Sequence, residues 1–266
     1  MIRADLKHYG TGETHMAKDM MCEFFESDII DNIDIIDINL FIFDRGFFSR
    51  EYVSFLNTRT KFLFRVSSAT LKEINVANDP DQIIIRSENG KPDLRLRVIN
   101  YILPTGEVEK LVTNVFDKSF TVEDFGNIYN SRWGIETGFR TLKSRLQIEN
   151  FSSAKTELIL QDFHSSIFVY NIMMASINEV SEDLTNSDEE DKKYEYKPNK
   201  NLAIVEVRNL LIQTFLHDDP EIRKKLFERA MSAISNRLVP IRPGRSYPRK
   251  RKYPSAKFPM NMKMGL

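Results

Sequence analysis

The chain has 266 residues, 41% of them hydrophobic, and its 38 lysines and arginines are matched by 38 aspartates and glutamates. That length allows one large or two ordinary domains with a proper core, while zero formal charge excludes a uniformly basic coat for nucleic acid and a lone cysteine, Cys22, excludes an internal disulfide framework. With no signal pattern and no apolar run long enough to span a bilayer, the composition describes a cytoplasmic chain without a membrane partner.

Taken in order, Glu13, Met16, Met20 and Phe24 recur at helical spacing and predict a helix from Glu13 to Phe25. Residues 35–43 are an apolar run of strand length that stops at Asp44-Arg45-Gly46. An aspartate at the carboxyl end of a buried strand faces the crevice where open α/β sheets bind ligands. A plain turn residue is the alternative at Asp44. A helix over 50–56 and a strand over 61–66 follow.

From 67 to 118 the pattern is β. Strands at 82–86 and 94–102 flank an Asn89-Gly90 hairpin signal, and a third at 108–116 is reached across Pro104-Thr105-Gly106. Alternation in Leu94-Arg95-Leu96-Arg97-Val98 implies one wet face, made cationic by Arg95 and Arg97.

Residues 121–151 carry the densest chemistry. Thr121 with Asp124 three residues on is a capping-box start, and no proline interrupts the run to Gln147, so the pattern predicts one long helix. At 3.6 residues per turn, Tyr129, Arg132, Glu136, Arg140 and Lys143 fall within about 80°. Ile128, Ile135, Phe139, Leu142 and Leu146 collect about 90° away, as the stripe to be buried. The plain alternative is a solvated face whose Glu136–Arg140 pair contributes about 0.2–0.5 kcal/mol.

A second helix over 157–180 backs this one. Residues 181–200 are acidic enough to predict a mobile loop, and amphipathic helices follow at 201–216 and 220–236. The tail, 241–266, is basic without a single acid, and its prolines keep it extended. His8, His15, His164 and His217 show no metal-ligand spacing.

Tyr129, then Arg132, Glu136 and Lys143 at intervals of three, four and seven, resembles the Tyr-Arg-Glu-Lys helix of the DDE transposases of bacterial insertion sequences, the insertion-sequence-four family. Asp44-Arg45-Gly46-Phe47-Phe48-Ser49 after an apolar strand, followed by a helix and a strand, is similar to the second catalytic aspartate segment of the same family. The resemblance implies an α/β (α+β) fold with a ribonuclease H-like core. On that expectation residues 1–66 are part of the core with the second catalytic Asp, 67–118 a β-rich insertion, and 119–180 the two core helices. The acidic loop (181–200), carboxyl-terminal helices (201–240) and basic tail (241–266) complete the chain.

It also implies phosphodiester transfer with two Mg²⁺ or Mn²⁺ ions held by Asp44 and Glu136, since hard cations take oxygen ligands. Tyr129, Arg132, Arg140 and Lys143 would hold phosphates; Arg95 and Arg97 in the insertion, and Arg249, Lys250, Arg251 and Lys252 in the tail, would contact DNA. The implied partners are double-stranded DNA (terminal repeats and target) and a second copy of the complete enzyme, at the nucleoid. Relatives stack a flipped base on a tryptophan of the insertion; here Tyr101 or Phe116 would have to serve. The family's first acid has no counterpart, because no apolar strand leads to Asp5, so the expectation is an amino-terminally truncated copy with little or no activity. A non-catalytic DNA-binding remnant and a ribonuclease H-like nuclease are the alternatives.

Overall fold

Successive side chains of a strand point to opposite faces, so Lys61–Val66 sends Phe62 and Phe64 one way and Leu63 the other. Both faces are therefore apolar, and the strand lies inside a sheet covered on both sides. The structure is a computed structural model that describes residues 4–7, 10–26, 40–67, 71–88, 90–186 and 194–241. They fall into two units, Lys7–Glu136 and a second formed by Met1–Leu6 with Thr137–Leu266. The amino-terminal part of the predicted strand at 35–43 and the tail residues Arg249, Lys250, Arg251 and Lys252 lie outside the described residues.

The first unit is built on a five-stranded mixed sheet. Its strands are β1 (Leu40–Phe43), β2 (Lys61–Val66), β3 (Asp81–Glu88), β4 (Lys91–Ile102) and β5 (Val108–Thr113), ordered β1-β2-β5-β4-β3. β1 and β2 are parallel, with Phe43 beside Phe64, and every other pairing is antiparallel. The β-rich segment enters the sequence between Asp44 and Glu136, yet β5 pairs with β2, so the segment extends the core sheet in its own plane. Beyond β5 the pairing is continued by a side chain: Asn114 accepts from the Phe62 amide and donates to the Thr60 carbonyl. Gly90 takes a φ of 77° in the β3–β4 turn, where a side chain would be strained.

One face of the sheet is covered by α1 (Glu13–Phe25) and α2 (Arg50–Asn57), whose Met21, Tyr52, Val53 and Leu56 join Phe62, Phe64, Leu96 and Val112 in a single buried cluster. Aromatic rings dominate it: Phe43 stacks on Phe64 with centroids 4.6 Å apart, and Phe24 and Phe25 both meet Phe41 edge-on. A short helix, α3 (Lys72–Asn75), is closed by Lys110, whose ammonium donates to the carbonyls of Ile74, Asn75 and Ala77. The opposite face holds Leu63, Ile99, Tyr101 and Leu111 beneath α4 (Val122–Asn130). Gly126 lets α4 come this close, because a β-carbon there would lie 2.4 Å from the Tyr101 ring. Tyr101 is buried by that contact and cannot stack on a base.

The long helix predicted from Thr121 is two helices. The Thr121–Asp124 capping box forms as expected. After Asn130, however, the amides of Arg132, Gly134 and Ile135 each bond three residues back, and the Ser131 hydroxyl takes the Ile128 carbonyl. A Ser and a Gly three residues apart supply the competing hydroxyl and the loose backbone that break a helix. The chain resumes as α5 (Trp133–Ser144). The apolar arc is divided accordingly: Ile128 packs from α4 against the cluster around Leu63 and Ile99, Leu142 and Leu146 join the core of the second unit, and Ile135 and Phe139 are 53% and 56% exposed.

In the second unit, α6 (Thr156–Asn186) lays Phe163, Ile167, Tyr170, Met173, Ile177 and Val180 against Leu142 and Leu146 and against the carboxyl-terminal helices. Those are α7 (Lys200–Glu206), continued through a π turn (Val207–Leu211) into α8 (Ile212–Leu216), and then α9 (Pro220–Ser235). Of the predicted mobile loop at 181–200, residues 187–193 lie outside the described residues, and both described ends carry regular structure. α6 runs on to Asn186, and Tyr196–Pro198 forms β6, paired with β7 (Leu238–Pro240) and with Pro198 buried. Composition alone concealed this strand because its pairing partner lies some forty residues away in the chain.

Candidate functional site

Asp44 follows β1 directly and keeps extended backbone (φ −73°, ψ 164°) before the 3-10 turn Arg45–Phe47. Alternation places its side chain on the face of Leu40 and Ile42, the face that α4 covers. Tyr129, at the end of α4 and buried, donates its hydroxyl to Asp44 Oδ1 over a long 3.4 Å. Burial pushes the Tyr129 phenol up to about 12; Arg132 and Arg65 pull the other way, while Asp44 and Glu109 reinforce the rise. At neutral pH it is therefore a proton donor that holds Asp44, not a base.

Arg132 sits in the break between α4 and α5. Its Nη2 donates to Glu136 Oε1 at 3.0 Å, with side chains 11% and 42% exposed, and its guanidinium stacks near the rings of Tyr129 and Trp133. Burial alone would make this guanidinium easier to deprotonate, but Tyr129, the hydrogen-bonded Glu136 and Asp44 outweigh burial and raise it further. Glu136 thus pairs with Arg132, while Asp44 is held by the neighbouring Tyr129. Arg132 Nε is buried and meets no acceptor. An unpaired buried donor on a full positive charge costs free energy until an anion reaches it.

Two further residues, Arg65 on β2 and Glu109 on β5, stand on the same face, paired at 3.2 Å. Sequence reasoning missed them; the signal was an arginine inside the otherwise apolar KFLFRV run, intelligible only once its neighbours across the sheet are known.

The remaining predicted contacts divide. Arg97 is 1% exposed: it forms a forked pair with Asp81 at 2.8 and 2.7 Å and donates to the carbonyls of Val115, Asp117 and Phe120. Its expected role at a DNA surface is therefore corrected. The alternation was right, but the loop after β5 folds over that end of the wet face and turns Arg97 into an internal tie. Arg95, two residues earlier, remains exposed with its guanidinium 4.5 Å from the Phe116 ring centroid. Arg140 and Lys143 lie exposed on α5 in the second unit, and Lys143 pairs with Glu149 at 2.6 Å. Among the described residues no group of three or more His, Cys, Asp or Glu side chains is arranged to hold a metal, and no helix is long and apolar enough to cross a membrane.

A family model described as the transposase DDE domain matches residues 9–172, more than half of the chain and a span that contains Asp44, Tyr129, Arg132 and Glu136. No curated protein matches the chain.

Proposed function

This chain belongs to the transposase DDE domain family, and from that premise we propose that it acts on the ends of a bacterial insertion sequence of the insertion-sequence-four type, cutting DNA strands and transferring the freed 3′ end. The observation that carries this reading is the Arg132 guanidinium, paired with Glu136 at 3.0 Å and left with a buried, unpaired Nε. A phosphodiester oxygen is the acceptor that fits it, since guanidinium forks bind phosphate through charge-assisted bonds.

The family implies a divalent metal ion. Carboxylates are the donor chemistry that fits Mg²⁺ or Mn²⁺, which take one or two protein oxygens and complete their shell with water and substrate phosphate. Asp44 and Glu136 would hold the metal, which when bound supplies Lewis-acid polarisation of the phosphoryl group. The protein's own contributions are positional. Tyr129 orients Asp44, Arg132 fixes Glu136 and receives the phosphate, and Arg95 steadies backbone without reading sequence; Arg140 and Lys143, exposed in the other unit, are separate candidates for phosphate contact. Terminal repeats and target DNA are the partners, with a second copy of the enzyme on the other end.

A duplex carrying the element's end, incubated with Mg²⁺ or Mn²⁺, is expected to yield a 3′-hydroxyl product that falls about a hundredfold or more in Asp44→Asn and Glu136→Gln. Undiminished cleavage in both variants overturns the reading. A non-catalytic DNA-binding role draws on one observation: both carboxylates already have protein partners, and no third metal-ligating side chain joins them among the described residues. Metal-independent binding, unchanged in Glu136→Ala and without any product from the unaltered protein, would favour it.

A further inference from the structure

Resting on that reading of the site, we propose that Arg65, anchored by the buried Glu109, is an additional phosphate-binding residue, clamping the DNA backbone beside Asp44. The sheet register carries the placement. Phe43 is beside Phe64 in the parallel β1–β2 pair, so Asp44 and Arg65 occupy the next lateral position, about 5 Å apart at the backbone. Both point to the α4 face, because Ile42 and Leu63, the preceding residues of that alternation, pack there.

The pair itself is asymmetric. The Glu109 side chain is 10% exposed and that of Arg65 36%. A structural ion pair in a sheet gains most when both partners are enclosed and fully bonded. Here the acid is enclosed and the cation protrudes. Guanidinium has five N–H donors, and Glu109 is the only ion-pair partner Arg65 has among the described residues. No ion pair joins Arg65 to Asp44 among the described residues; Asp44 takes Tyr129 instead. Arg65 therefore does not neutralise the aspartate, and a carboxylate fixes one edge of its fork while the other is open to an anion. Arg132 reaches the same neighbourhood from the helix break, so one phosphodiester group could be gripped from the sheet side and from the helix side.

The test is metal-free binding, which separates this contact from catalysis. Fluorescence anisotropy of a labelled random-sequence duplex is measured in EDTA across a salt series. Arg65→Met alone would strand a buried acid, so the informative variant is Arg65→Met with Glu109→Gln, with its thermal melt recorded alongside. The slope of log K against log salt is expected to shrink by about one in the double variant, while Glu109→Gln alone and Arg65→Lys keep the original slope. A purely structural pair would leave the slope unchanged in a double variant that still melts like the unaltered protein, and that result overturns the proposal. If the unaltered protein fails to bind the duplex at any salt, the parent reading of a DNA-processing site falls instead.

Discussion

Tyr129 donates its hydroxyl to Asp44 Oδ1, joining a helix end to a strand end across 85 residues of chain. The phenol is raised by burial to about 12 from an ordinary value of 10.0. The folded state thus binds that proton more tightly than the unfolded chain, and the stabilisation it provides is complete below pH 10 and lost as pH rises towards 12. Tyr129→Phe keeps the ring and removes the titration. Alkaline melts over that window are expected to show a shallower loss of stability in Tyr129→Phe, and equal slopes would contradict the assignment.

Arg132 offers charge and a planar fork together. Arg132→Lys preserves the first without the second. DNA affinity and its salt slope are expected to stay near those of the unaltered protein, while strand cleavage drops by roughly tenfold to a hundredfold. A cleavage rate left intact by the lysine would show that only the positive charge matters.

Arg97 and Asp81 form a nearly enclosed pair, and Arg97→Met leaves the carboxylate only the longer 3.5 Å contact with the exposed Lys118. A loss of about 3–5 kcal/mol is expected in urea unfolding, read as a lower midpoint at constant slope. The forked bond from Arg97 holds Asp81 below the ordinary carboxylate range. Its stabilisation is therefore present above pH 3.8 and lost as pH falls further, an acid sensitivity that Arg97→Met is expected to reduce to what Lys118 alone supports. DNA affinity of the folded variant should not change.

Gly126→Ala tests how α4 is seated. The added carbon would lie 2.4 Å from the Tyr101 ring, so helix or ring must move. Overpacking of this kind costs about 1–3 kcal/mol. Because Tyr129 is three residues further along α4, cleavage is expected to fall more than DNA binding does. Equal losses in the two assays would detach the helix seat from the site.

The elements α1, α2, β2 and the capping box at Thr121 were legible from sequence, because each rests on local spacing or on an apolar run between breakers, and the candidate residues Asp44, Tyr129, Arg132 and Glu136 were singled out in the same way. What escaped was decided by contacts between distant segments. The break at Ser131 arises from hydroxyl and backbone competition that a 3.6-residue projection does not register. Arg97 alternates as a surface residue should, and only the loop after β5 reveals that its face is roofed. Arg65 and Glu109 meet through β2–β5 pairing, and β6 finds β7 across three helices; neither partner can be named before the pairing is known.

The ring contacts beneath β1 have a consequence for how the aspartate is mounted. Among the described residues β1 has hydrogen bonds on one flank only, to β2, whereas Phe41 and Phe43 are embedded in stacked and edge-on rings. The acid rides on an oily raft more than on a ladder of amides. Cosolvents that loosen apolar contacts should therefore blur its alignment at doses that still spare the β3–β4–β5 meander. Such mild conditions would disturb the seat of Asp44 well before they unfolded the sheet.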